Sequence, residues 1–465
     1  MKYVFHTFEI VATTVAILLL MWFLPPLNID GVQLRKVDLL SDLDPQADST
    51  QNSALLPPVA PKAPKPKVVT KSHKVINFKE EWPDGVEHIV DYGTGDTLAM
   101  DHFYEALAQV EKLDRPVRVA YFSDSFTEGD IFTRDLREQL QEAWGGYGAG
   151  WLDAGNPINK EISNVGVSYS SLDEHVTAGK MPFNESLQGL NQRYYTASSG
   201  SSFTVTGFKG DYHSTSWTVA QLLLRAPAGA TVTVQQGGKS ITSKVPASHR
   251  IQQVRLTSPA ASKATFKLSG AGAGTMLLGA GLEGEHGVVV DNYSLRGSSG
   301  LTLGSIDAAT LADYAKLRPY DLIVLHFGLN VADKGSSTGI MKYVLKEHAA
   351  FIANLRKAFP HASILVMSVT DHDSRSGGGI HTIKQVPQFV ELQQLMAADQ
   401  HVAFYNLFDA MGGEGSIGRL VEQHKAAKDY THLSYGGGKL LAGKFFDSIK
   451  AGYKNYTRRK ALEKQ

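Results

Sequence analysis

"AYFSDSFTEGD", residues 120–130, decides the fold. An apolar run, Val117 to Phe122, stops at Ser123-Asp124-Ser125, and four residues beyond Ser125 comes Gly129, followed by a helical pattern. Ser and Asp cap helices and favour turns, so one reading is a plain strand-to-helix turn. The other is a nucleophile presented at the end of a central strand. The surrounding chain has to decide between them.

Upstream, "HFYEALAQVEKL" (102–113) spaces Phe103, Leu107 and Val110 as a helix does. Downstream, "IFTRDLREQLQEAW" (131–144) is amphipathic, and "GGYGAGWLDAG" (145–155) reads as a Gly-rich loop. The unit is the β-turn-α opening of an α/β domain. From about 156 to 286 the pattern changes to short alternating segments, among them "SSFTVTGF" (201–208), "ATVTVQQ" (230–236) and "ATFKLSG" (264–270). With Gly and Pro punctuation between them, they predict an inserted all-β sandwich. The α/β pattern then resumes with apolar strands at 287–292, 321–327, 363–369 and 402–407, alternating with helices at 308–317, 341–359, 386–400 and 436–453. Five such strands predict one parallel sheet covered on both faces.

Before this folded part, "IVATTVAILLLMWFL" (10–24) carries no charge and Pro25-Pro26 follow it. Its length with Phe8 and Leu27 approaches the ~20 residues that span a bilayer. No small-x-small cleavage site follows directly, so residues 1–27 are read as an uncleaved transmembrane signal anchor. Residues 28–80, with "LLPPVAPKAPKPKVV", are read as an extended Pro/Ala/Lys-rich linker. The expected organisation is then 81–155 and 287–465 as the two parts of one α/β domain, with 156–286 inserted between them. The folded part is expected outside the cytoplasm, anchored to the membrane. The 46 basic residues balance 46 acidic ones, which argues against a nucleic-acid partner. Without a single cysteine, disulfides, thiolate metal sites and a Cys nucleophile are excluded.

In an open parallel sheet the site lies at the carboxyl ends of the strands. Ser123, Asp124 and Ser125 follow the first strand, "SLRGSSG" (294–300) the second, and "GLN" (328–330) the third. "TDHDSRSGGGIHT" (370–382) follows the fourth, and "DYTHLS" (429–434) precedes the last helix. One edge thus collects a serine, glycine turns, an asparagine and an Asp-x-x-His pair. These supply a nucleophile, oxyanion donors and a base with its orienter.

The four motifs, in this order, resemble the blocks of the SGNH (GDSL-type) hydrolases. "SDSFTEG" matches the first block with Ser125 as nucleophile. Gly297 matches the second-block glycine, with Gly300 as competitor, and Asn330 the third-block asparagine. "DYTH" matches the last block with Asp429 and His432. Ser123 stands where that block usually opens with Gly, and Val331 where Asp usually follows Asn. The resemblance covers about 102–155 and 287–450. It implies an α/β/α sandwich of flavodoxin-like type and a Ser125–His432–Asp429 triad. It also implies an oxyanion hole from the Ser125 and Gly297 N–H groups and the Asn330 amide.

The β-rich insertion makes the layout similar to the peptidoglycan O-acetylesterase branch. That implies removal of acetyl groups from peptidoglycan or another surface glycan, with no cofactor and no metal. A polysaccharide O-acetyltransferase with the same triad, or a degenerate glycan-binding protein, are the alternatives. Other candidates are read as structural. His326 is a packed histidine. His372, Asp373 and His381 belong to a mobile rim rather than a metal site. Trp144 and Trp151 suit a sugar site or core anchoring equally, and the basic residues at 454–464 form a solvated tail.

Overall fold

Val117–Ser123 is buried along its whole length, which requires partners on both edges and cover on both faces. In the computed structural model it pairs in parallel with Val288–Ser294 on one side and Leu322–His326 on the other. The sheet continues through Ser363–Met367 and Ala403–Tyr405. Numbered along the chain, the five parallel strands lie in the order 2-1-3-4-5, the doubly wound flavodoxin-like arrangement. A sixth strand, Ile89–Asp91, adds antiparallel to Ala403–Tyr405, so the sheet is larger than the five strands expected. The structure describes residues 78–464 apart from 95–96, 178, 209, 211 and 377–378, together with a pairing of Asn28–Ile29 with Val32–Gln33. The expected anchor at 1–27 and most of the linker lie outside these. Among the described residues no helix is long and apolar enough to cross a membrane.

The alternation of a strand explains the layers. Val117, Val119 and Tyr121 face one core with Phe103, Leu136, Leu140 and Phe445. Ala120 and Phe122 face the other with Leu311, Phe351 and Phe389. Helices Asp101–Ala108, Thr133–Trp144 and Tyr435–Glu463 therefore cover one face. Helices Ala308–Leu317, Thr338–Ala358 and Gln385–Asp399 cover the other.

The β-rich segment has a third core of its own, around Trp217, Phe203 and Phe266. It is one hydrogen-bonded sheet of nine strands, not two separate sheets facing each other. Register shifts bend its strands, as between Thr257 and Ala261 and between Ser170 and Leu172. Such irregularities let a strand turn from one layer into the next. Gly150–Asp153, within the stretch read as a loop, is a strand of this sheet and pairs with Met276–Glu283. Its glycines hid it, yet Gly150 is needed there: φ is +73° and a Cβ would meet the Val290 carbonyl.

Where the two sheets meet, ionic groups are fully enclosed. Arg318 is 0 % exposed and contacts Asp291, also 0 % exposed, through Nη2 to Oδ1 at 2.8 Å. Its Nη1 reaches Glu283 on the inserted sheet at 2.9 Å and the Gln221 side-chain oxygen at 3.1 Å. Arg118 closes the network on Glu283 at 2.6 Å. Burial alone would raise the Glu283 carboxyl, but Arg118 and Arg318 pull it down to about 2.

The C-terminal segment corrects another expectation. The last helix runs on to Glu463 instead of giving way to a solvated tail. Arg459 is buried and pairs with Asp101, and Arg458 binds Glu81 at 2.6 Å. With residues 454–463 free of Gly and Pro, nothing ends the helix there.

Candidate active site

The turn after the central strand is a capped strand-to-helix turn that also places Ser125 at the strand end. Asp124 caps a short 3₁₀ helix, Ser125–Asp130, its Oδ1 accepting the Phe126 N–H at 3.0 Å. Capping by Asp124 is what fixes Ser125 at the strand end. Behind it, Asp130 has a positive φ of 64° and is held by the Arg137 guanidinium at 2.7 and 3.0 Å. Arg137 is itself buried and also donates to the Val290 carbonyl at 2.8 Å. Sequence reasoning treated the cap only as a rival to the nucleophile and did not find the Arg137 brace. The Ser-Asp-Ser order was the available signal for the first; an arginine on a helix face gives none for the second.

The Ser125 hydroxyl donates to His432 Nε2 across 2.9 Å, and the opposite ring nitrogen, Nδ1–H, donates to Asp429 Oδ2 across 2.8 Å. This is the tautomer that a carboxylate on Nδ1 selects. The other oxygen of Asp429 accepts the N–H groups of Thr431 and His432, each at 3.0 Å. Partial burial works to raise the Asp429 carboxyl, but these hydrogen bonds from His432 and Thr431 outweigh it and hold it below 3.8. The Asp429 loop is tied to the fourth strand's loop, where the Asp373 N–H donates to the Tyr430 carbonyl at 3.0 Å. Both members of the pair stay accessible, with His432 43 % and Asp429 50 % exposed at the side chain.

The proposed oxyanion donors come from the neighbouring loops. Asn330 gives one amide N–H to the Ser298 carbonyl at 3.0 Å, which ties the third-strand loop to the second and leaves its other N–H for a ligand. Gly297 has φ +74° with open space where a Cβ would stand, whereas a Cβ at Gly300 would strike His348 Nε2 at 2.3 Å. Gly300 is therefore a packing glycine and Gly297 the one that faces outward. Val331 is buried, its N–H on the Gly328 carbonyl at 2.9 Å, and Ser123 is a buried strand residue. Neither departure from the family pattern touches the Ser125–His432–Asp429 line.

The remaining candidates have structural places. His326 is buried, bonded through Nδ1 to the Tyr121 hydroxyl at 2.8 Å, and burial pushes it down to about 3. His372 is buried with Nδ1 on the Thr370 carbonyl at 3.4 Å, and burial lowers it too. The segment read as a mobile rim is a hairpin, Asp373–Ser376 with Gly379–Thr382. Among the described residues no three His, Asp or Glu side chains are grouped to hold a metal ion. Trp151 is 3 % exposed within the core, and Trp144 packs edge-on against Phe446 and Tyr453. Both serve as anchors.

Asp124 carries a testable consequence. Burial pushes its carboxyl up to about 6, against the opposing pull of the Phe126 N–H and the His432 ring. Between 3.8 and 6 the folded state keeps a proton that the unfolded chain has released. This group's contribution to stability is thus complete below 3.8 and is lost as pH rises through 6. Asp124→Asn removes the titration, so the variant should gain on the wild type by roughly 2 kcal/mol between pH 4 and pH 7, whatever constant offset the amide brings. Denaturant unfolding at the two pH values measures it. A variant-minus-wild-type difference that is the same at both would contradict the assignment.

The overall fold matches a solved structure of a peptidoglycan O-acetylesterase with a TM-score of 0.66, at 21% identity over 79% of this chain and 99% of that one. The chain therefore shares the fold of that structure over most of its described length. Family two carbohydrate esterases from Clostridium thermocellum, in complex with cellohexaose, and from Cellvibrio japonicus align at 14% and 10% identity. They span 62% and 66% of this chain and 100% and 98% of their own, with TM-scores of 0.26. No protein-family model matches the chain, and no curated protein sequence does.

Proposed function

We propose that this chain is a serine esterase of the SGNH type that removes O-acetyl groups from peptidoglycan or another surface glycan. The observation that carries the reading is the continuous line from Ser125 Oγ through His432 to Asp429, at 2.9 and 2.8 Å, at the carboxyl end of the central strand. His432 takes the serine proton as Oγ attacks the acetyl carbonyl, and Asp429 stabilises the imidazolium. The Ser125 and Gly297 N–H groups and the free Asn330 N–H receive the oxyanion. His432 then returns the proton to the departing sugar oxygen, which leaves an acetyl-serine. Water, deprotonated by the same imidazole, attacks the acetyl carbonyl; the bond to Ser125 Oγ breaks, the imidazolium returns its proton to Oγ, and acetate leaves.

Exposure of the pair supports this choice of substrate and acceptor. A half-exposed His432 and Asp429 suit an acetyl group displayed on a polymer, and an open site admits water. A transferase has to hold a sugar hydroxyl in line and keep water out. The apolar segment at 10–24 supports placing the enzyme on the outer side of a membrane, at the end of the Pro-rich linker.

The test is acetate release from O-acetylated peptidoglycan, alongside other acetylated glycans. A second arm supplies an acetyl donor with unacetylated glycan chains and follows both acetylated sugar and free acetate. Acetate is expected to dominate in both arms. Efficient acetylation of the glycan with little free acetate would replace the esterase by a transferase and leave the triad in place.

A further inference from the structure

The inserted sheet has an outward face unlike an ordinary protein surface. Five of its strands run side by side there: Val165–Val176, Arg193–Gly207, Lys263–Ala271, Ala230–Gln236 and Lys239–Val245. Phe203, Val205, Phe266, Val232 and Val234 point into the core, so their alternate neighbours point out. One outward row crosses all five strands as Ser168, Thr204, Thr265, Gln235 and Ser240. The next has Ser170, Ser202, Thr233 and Thr242, with Lys267 among them. Hydroxyls pair across strands at 3.0 Å (Ser170–Ser202), 3.1 Å (Thr204–Thr265) and 2.9 Å (Thr233–Thr242).

Where the five strands run together, charge on this face has one sign; further along Val165–Val176, past the register shift, Asp173 is exposed opposite Thr196. Lys244, Lys263 and Lys267 are exposed there, and none of the described outward positions where the five strands run together carries a carboxylate. Soluble surfaces normally intersperse both signs. At about 4.8 Å per strand the field is about 19 Å wide. At its edge Gly166 leaves room for an aromatic ring: a Cβ there would meet Phe208 at 2.8 Å, and Phe208 is 48 % exposed.

We infer that this face binds an anionic glycan strand. Each paired hydroxyl retains a lone pair or a donor for a sugar hydroxyl. The lysines supply point charges for carboxylates along the strand, and Phe208 offers a ring face to a sugar. Phe208 apart, none of the described outward positions of the five-strand field carries a large apolar side chain of the kind that anchors protein partners. The face belongs to the inserted sheet rather than the serine site, so it would hold the polymer while ester groups pass Ser125. The inference does not depend on the esterase reading, because it concerns binding without turnover.

The experiment uses the full-length chain carrying Ser125→Ala, pelleted with purified peptidoglycan sacculi in native form and with their carboxylates amidated. Binding to native sacculi should weaken with added salt. Adding Lys244→Glu, Lys263→Glu and Lys267→Glu should weaken it about tenfold, with the melting temperature unchanged. Amidated sacculi should bind as weakly as the triple variant binds native ones. Phe208→Ala should weaken binding to both forms. The inference is overturned if the triple variant binds native sacculi like its parent, if amidation has no effect, or if the loss is seen only with phosphatidylglycerol vesicles.

Discussion

Ser125→Ala and His432→Ala should each lower turnover of a small acetyl ester by about 10⁵- to 10⁶-fold, with the fold intact. Ser125 is the first residue of a short helix capped by its neighbour Asp124, so removing one hydroxyl disturbs no packing. His432 is partly exposed, and its backbone N–H is already held by Asp429. The two losses should not add in the double variant, because each removes the same proton transfer. Asp429→Asn should cost about 10⁴-fold, since an amide would select the wrong imidazole tautomer. Single-turnover release of a chromogenic acetyl ester measures all four. Near-normal activity in a correctly folded Ser125→Ala protein would remove the nucleophile assignment, and with it the esterase reading.

The parts of this site that were legible in sequence are those that local chemistry dictates. Five strands announced themselves as apolar runs, since a strand covered on both faces has no polar side to show. Ser125, Asn330, Asp429 and His432 sit where such strands or the last helix make short turns, and turns allow few residue types. Three elements were illegible for stated reasons. Ile89–Asp91 is three residues long, too short for any period. Gly150–Asp153 lies in a glycine run that is required by close backbone contact with Val290, a feature only the fold reveals. Arg459 looks like any tail arginine until Asp101, 358 positions away, supplies its partner. The same holds for Arg318 with Asp291 and Glu283: nothing in a sequence marks a charge as buried before its counter-ions are known.

That last network sets the second large effect. Arg318→Ala should destabilise the protein by about 3–5 kcal/mol, because it leaves Asp291 enclosed without its guanidinium. Asp291 would retain only the Tyr320 hydroxyl, at 2.7 Å, from its present polar side-chain partners. Glu283 would keep Arg118, so the damage falls more on the Asp291 side. Net stabilities run to about 5–15 kcal/mol, so this single change would take a large share. Gly281 belongs to the same device: a Cβ there would meet Arg318 Nη1 at 2.2 Å, so Gly281→Ala should also destabilise. A double change that removes both charges, Arg318→Met with Asp291→Asn, separates two explanations. If an unpaired buried charge is the cause, the double variant should recover part of the loss, since no carboxylate then remains without its partner. Chemical unfolding of the three variants decides it. A double variant no more stable than Arg318→Ala would mean that the network acts through shape and hydrogen bonding, and that charge compensation is not what joins the two sheets.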